Sequence, residues 1–172
     1  MSMDQNDSQA SKADVLFARA SKRWDQGRLR SAFRLFLSAA KAGDPSAQHN
    51  LGYFYDVGVG VKRNRDAALY WYRRAFRHGY RTAASNIGTI YRDEERPKQA
   101  LSWFQRAIRL GDADANLEVA KILLRTKGES ARAITYLKRA TEAKSRDVTA
   151  GSKREAHRLL KKLARRRSPA DG

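Results

Sequence analysis

Residues 51–79 of this chain read LGYFYDVGVGVKRNRDAALYWYRRAFRHG, and the run Gly58-Val59-Gly60-Val61 is the first place to look for chemistry. Closely spaced glycines let a backbone wrap around a phosphate. The dinucleotide fingerprint G-x-G-x-x-G would need glycine at position 63, where the chain has Arg63. It would also need a preceding strand, whereas residues 47–57 follow a helical period. A loop ending in Gly-Lys-Ser/Thr is absent as well. The glycines read as a connection between two helices.

Other sources of chemistry give as little. His49, His78 and His157 have no i, i+4 spacing that would aim two rings at one metal. The stretch RDEER at 92–96 gathers three carboxylates, but Arg92 and Arg96 flank them and Pro97 follows, which suits a solvated, salt-bridged turn. No serine lies in a nucleophile-elbow sequence. The absence of cysteine excludes disulfides, thiol catalysis and cysteine-containing zinc sites. The expectation is a protein without catalytic residues, metal, cofactor or small-molecule substrate: not an enzyme.

Binding is what the composition offers instead. Lys and Arg number 36 against 18 Asp and Glu, a formal net charge of +18. Such an excess attracts acidic proteins, nucleic acid or anionic membrane surfaces. It is not confined to a tail, because residues 150–172 hold eight basic and two acidic residues and the rest is spread along the chain.

The elements that carry these charges show themselves as repeats. Alanine, a large apolar residue three positions on and alanine seven positions on recur at Ala32–Leu35–Ala39, Ala68–Trp71–Ala75, Ala100–Trp103–Ala107 and Ala133–Tyr136–Ala140. A glycine stands eleven positions after the first alanine in three copies, at Gly43, Gly79 and Gly111, with Lys144 in the fourth. A second column runs Ala13, Ala47, Ala83, Ala115, each followed at the fourth position by Phe17, Leu51, Ile87 or Val119. The residue after that is always small: Ala18, Gly52, Gly88, Ala120.

Offsets of three, four and seven place these residues on one face of an α-helix. The small residues allow close helix approach, the aromatic residues fill the space beside them, and glycine ends the helix. Asp44-Pro45 and Asp112 can begin the helices that follow. The spacing therefore predicts an all-α chain: a right-handed α-solenoid of about four helix-turn-helix repeats, near 13–43, 45–79, 81–111 and 113–144, cooperating as one domain. Residues 152–167 predict a capping helix with Ala156, Leu159, Leu160, Leu163 and Ala164 as its apolar stripe. Residues 1–12 and 168–172 read as a disordered leader and tail, the leader lacking a secretory signal. No apolar run reaches the roughly 18 residues of a membrane span, and the expected compartment is the cytoplasm.

Residues 47–79, with Ala47, Leu51-Gly52, Tyr55, Gly58, Gly60-Val61, Asp66, Ala68, Trp71, Ala75 and Gly79 in order, resemble a Sel1-like repeat, a relative of the tetratricopeptide repeat with a longer Gly-x-Gly-Val loop. The copy with Ile87-Gly88, Tyr91, Ala100, Trp103, Ala107 and Gly111 lacks that loop and is similar to a tetratricopeptide unit. The resemblance implies that the first helix of each pair lines a concave groove. Lys12, Arg19 and Lys22 would then face it, followed by Asn50, Tyr53 and Asp56, then Asn86, Thr89 and Arg92, then Glu118, Lys121 and Arg125. An asparagine at Asn50 and Asn86 would hold the backbone of an extended peptide, since an amide both donates and accepts. With Arg19, Lys22, Arg92, Lys121 and Arg125 nearby, the expected partner is an acidic protein or peptide bound by an adaptor.

The second helices suggest a different ligand. Ser38, Arg74, Arg106 and Arg139 are equivalent, as are Lys41, Arg77, Arg109 and Glu142. With Lys161, Lys162, Arg165, Arg166 and Arg167 of the last helix they could contact nucleic-acid phosphates, Tyr70 and Tyr72 stacking on bases where exposed. Contact of 152–167 with an anionic membrane ranks below both.

Overall fold

The computed structural model describes residues 11–167, and side chains as far as Arg165. The leader before residue 11 and the tail from 168 lie outside the described residues. Every regular element among them is helical: α1 (Lys12–Asp25), α2 (Leu29–Lys41), α3 (Pro45–Val57), α4 (Arg65–Arg77), α5 (Arg81–Asp93), α6 (Pro97–Arg109), α7 (Asp114–Leu124), α8 (Ser130–Glu142) and α9 (Ala150–Arg167). These are the predicted helix pairs and the final helix of an all-α repeat solenoid. None is long and apolar enough to cross a membrane. The helices gather into two compact units, α1–α4 up to Tyr80 and α5–α9 from Arg81.

Local chemistry sets the helix ends. Ser11 and Asp14 form a reciprocal capping box at α1, and Asp44 accepts from the Ala47 amide ahead of Pro45 in α3. Asn64 caps α4 through the Ala67 amide at 3.0 Å. Gly43, Gly79 and Gly111 take positive φ at the predicted stops. Where Lys144 replaces glycine, α8 instead ends at Ala143 with an extended backbone (φ −59°, ψ 146°).

In the first unit α2 packs between α1 and α3, and α4 packs on α3. Its core joins Ala20, Ala32, Phe36, Ala39, Ala47, Leu51, Phe54 and Trp71. Phe36 and Phe54 meet edge to face at 5.5 Å, and Trp24 meets Phe54 at 5.1 Å, the favoured arrangement for ring quadrupoles. The Gly58–Asn64 connection closes over this cluster with Val59 and Val61 packed against it. Gly60, at φ +66°, lies so near the Leu29 backbone that a Cβ would sit 2.8 Å from its carbonyl carbon. The glycines of this loop serve chain geometry.

In the second unit α5 pairs with α6, α6 with α7, α7 with α8, and α9 lies against α8 and α7. Leu117, Ala120, Leu137, Ala140 and Ala156 are buried together, with Leu159, Leu160 and Leu163 packed on them. Most of the predicted stripe of α9 covers the last pair, while Ala164 is exposed.

Candidate functional site

On the first helices of the first unit, Asn50 is partly buried with its Oδ1 3.4 Å from His49 Nδ1. Tyr53 remains 37% exposed and stacks on Trp24 at 5.8 Å. Lys12, Arg19 and Lys22 are exposed on α1. The backbone carbonyl of Asp56 accepts from Arg63 Nε at 2.6 Å, and its carboxylate lies 3.9 Å from the same guanidinium. The His49 ring stacks on Tyr80 at 4.6 Å and lies near Tyr72. Burial lowers its pKa, and the Asn50 side chain opposes that only in part.

The corresponding face of the second unit is organised by ion pairs. Arg92 of α5 reaches Glu118 of α7, and also Asp93 at 2.9 Å. Lys121 lies 3.0 Å from Glu118 and 3.2 Å from Glu155 of α9. Burial by itself would lower the pKa of Lys121 and of Arg92. The hydrogen bonds and charge of their carboxylate partners outweigh it, so both are raised. Asn86 and Thr89 line a cavity of about 560 Å³ with Arg81, Ser85, Asp112 and Asp114. Arg125 is exposed and lines a smaller cavity of about 310 Å³ beside Arg92 and Glu95. This face is polar and of mixed sign, with two of its expected cations already neutralised.

On the second helices each equivalent arginine lies over an aromatic ring three residues earlier. Arg74 is 5.7 Å from Trp71, Arg106 is 4.3 Å from Trp103, and Arg139 is 5.3 Å from Tyr136. Arg74 also donates to the Tyr70 hydroxyl at 3.1 Å. Arg77 and Arg109 are exposed in the last turns of α4 and α6. Lys161, Lys162 and Arg165 are exposed on α9, and Arg166 and Arg167 close that helix. Tyr70 is 51% exposed, but Tyr72 is only 1% exposed because it packs on Gly52, so it offers no stacking surface. His78 caps the end of α4, and His157 Nδ1 is 2.9 Å from the Lys153 carbonyl.

Charge separates by helix. The second helices α2, α4, α6 and α8 carry thirteen basic residues and two acidic ones. The first helices α1, α3, α5 and α7 carry seven and six. The excess that looks evenly spread along the sequence lies on the second helices and on α9.

One cluster is not apparent from the sequence. Arg19 and Arg23 of α1, Arg28 of the turn, and Ser31, Arg34 and Leu35 of α2 line an open depression of about 370 Å³. Arg19, which the family resemblance puts in the groove, is one of the arginines lining this depression. The available signal is the like-charged i, i+4 pair Arg19–Arg23, which an isolated helix disfavours.

Comparison with known proteins agrees with this architecture. The Sel1 repeat model matches residues 26–44 and 45–80, and the tetratricopeptide repeat model matches residues 82–110. A putative sel1-like repeat-containing protein, L21 of Acanthamoeba polyphaga mimivirus, is 28% identical over 86 residues. That stretch is 50% of this chain but 16% of the relative. A Sel1 repeat protein from Oxalobacter formigenes superposes with a TM-score of 0.70 at 24% identity, covering 88% of this chain and 64% of the other. YrrB, described as a TPR protein with an unusual peptide-binding site, gives 0.64 at 20% identity, covering 91% and 80%.

Proposed function

We propose that this chain, a repeat protein of the Sel1-like and tetratricopeptide-like kind, is a non-enzymatic adaptor that holds an extended acidic peptide against the first helices of its first unit. Repeat proteins of this kind serve generally as protein-interaction scaffolds. The observation that carries the acidic preference is the contrast between the two first-helix faces. Among the described residues Lys12 and Lys22 have no carboxylate partner, and they are exposed on α1, the helix whose Trp24 stacks on Tyr53 of α3, which also carries Asn50. Arg92 and Lys121, by contrast, are already paired. An asparagine amide can satisfy both groups of a peptide unit, the ring stack gives an apolar seat, and the lysines favour carboxylates.

An array of extended peptides graded in acidic content tests this reading. Asn50→Ala combined with Lys22→Glu is expected to weaken the acidic binders about tenfold, the order for removing one charge-assisted interaction and a hydrogen bond. Arg106→Glu with Arg139→Glu is expected to leave them unchanged. Equal losses in both double variants would show that overall charge, not this face, binds the peptide.

A second reading, nucleic-acid binding through the second helices and α9, has its own support. Arg106 and Arg139 are held over rings with no carboxylate partner among the described residues, on helices where cations far outnumber acids. A salt titration of nucleic-acid affinity checks it, since phosphate contacts give a steep slope.

A further inference from the structure

Four guanidinium groups share the depression between α1 and α2, and among the described residues no carboxylate lines it. The polar neighbours are Ser31, among the lining residues, and the Gln26 side chain, 3.5 Å from Arg23 Nη1. Like charges at helical i, i+4 spacing repel one another, so the arrangement is disfavoured while empty. An anion that several arginines can grip at once removes that repulsion. Phosphate oxygens suit it best, because the flat guanidinium fork matches their geometry.

The surroundings point to a strand with many phosphates. Arg30 and Lys41 extend the cationic surface along α2, which has no acidic residue. Arg73, Arg74 and Arg77 give α4, the other second helix of the same unit, a cationic face of its own, its one carboxylate being Asp66 in the first turn. Tyr70 projects from the same helix, half exposed, with Arg74 donating to its hydroxyl. A ring beside ordered arginines offers a base a face to stack on, for which an acidic peptide has no use.

We propose that the arginine depression of α1–α2 and the cationic outer face of α4 form a docking site for single-stranded nucleic acid, with phosphates among Arg19, Arg23, Arg28 and Arg34 and a base on Tyr70. The proposal rests on the nucleic-acid reading and goes beyond it in assigning the main phosphate contacts to the arginine depression of α1, the turn and α2.

Fluorescence anisotropy of the full chain with a labelled oligouridylate of about 12 nucleotides tests it. Such a strand spans the usual site size of a single-strand groove. Arg23→Glu with Arg34→Glu is expected to weaken binding at least tenfold. Milder Arg→Gln changes at the same positions should flatten the plot of log affinity against log salt by about 0.7 for each phosphate that is no longer neutralised. Tyr70→Ala should weaken the oligouridylate and leave an abasic strand of equal length unaffected. If the Arg23 and Arg34 variants bind like the parent chain while Arg106→Glu with Arg139→Glu abolishes binding, the nucleic-acid reading stands and this site is wrong. If the parent chain does not bind the strand, both fail. If polyglutamate of matched charge displaces the strand equally well, the depression takes acidic polymers in general and the proposal is overturned.

Discussion

In the first unit Arg19, Arg23, Arg28 and Arg34 share a depression that no described carboxylate lines, whereas in the second Arg92 and Lys121 both reach Glu118. Both units stack the same kind of helix pair, with a small residue of the first helix under a ring of the second. They differ in the outward-facing positions. Packing in a repeat is tied to its neighbours, so Gly52 and Gly88 are held to one solution. Exposed positions carry no such demand, and each unit can arrange its charge for a different purpose.

The largest expected effect tests the likeness. A Cβ on Gly52 would lie 2.5 Å from the Tyr72 ring, and one on Gly88 would lie 2.8 Å from the Phe104 ring. Both rings are about 1% exposed and have no room to retreat. Gly52→Ala and Gly88→Ala are each expected to cost about 1–3 kcal/mol, the range for overpacking a dense core. Urea unfolding followed by circular dichroism measures it. A substantial loss at one position and none at the other would mean that the two units do not share a packing rule.

These two glycines also mark how far the sequence can be read. The alanine and glycine columns reveal the helix pairs because packing is periodic, and the glycine stops match because positive φ favours that residue. The polar arrangement does not repeat and is therefore not legible. Nothing in the local sequence links Arg92 to Glu118, 26 positions away, or Lys121 to Glu155 on the final helix. Tyr70 and Tyr72 look interchangeable in the sequence, yet a two-residue step turns a side chain by about 200° around a helix. One faces solvent and the other covers Gly52.

A smaller effect sharpens the difference in charge. Glu118→Gln removes the carboxylate that Arg92 and Lys121 share. All three side chains are partly exposed, so solvent screening limits the loss to about 1 kcal/mol or less. The deficit should shrink in about 1 M salt, where the Debye length falls to about 3 Å. A deficit unchanged by salt would assign Glu118 to packing, and the electrostatic contrast between the units would lose its main support.

The smallest effect belongs to His49, in the first unit. Burial holds its folded pKa below the ordinary 6.5, with the Asn50 hydrogen bond opposing. The unfolded chain therefore takes up the proton first as pH falls. The contribution of neutral His49 to stability is fully present above the unfolded value and declines as pH drops from about 6.5 through the lower folded value. The urea midpoint should decline between about pH 7 and pH 5, and His49→Gln should flatten that decline. Because His49 contacts both Tyr72 and Tyr80 and adjoins Asn50, a flat profile in the parent chain would mean that water reaches the ring. The face proposed for a peptide would then be looser around Asn50 than the ring contacts imply.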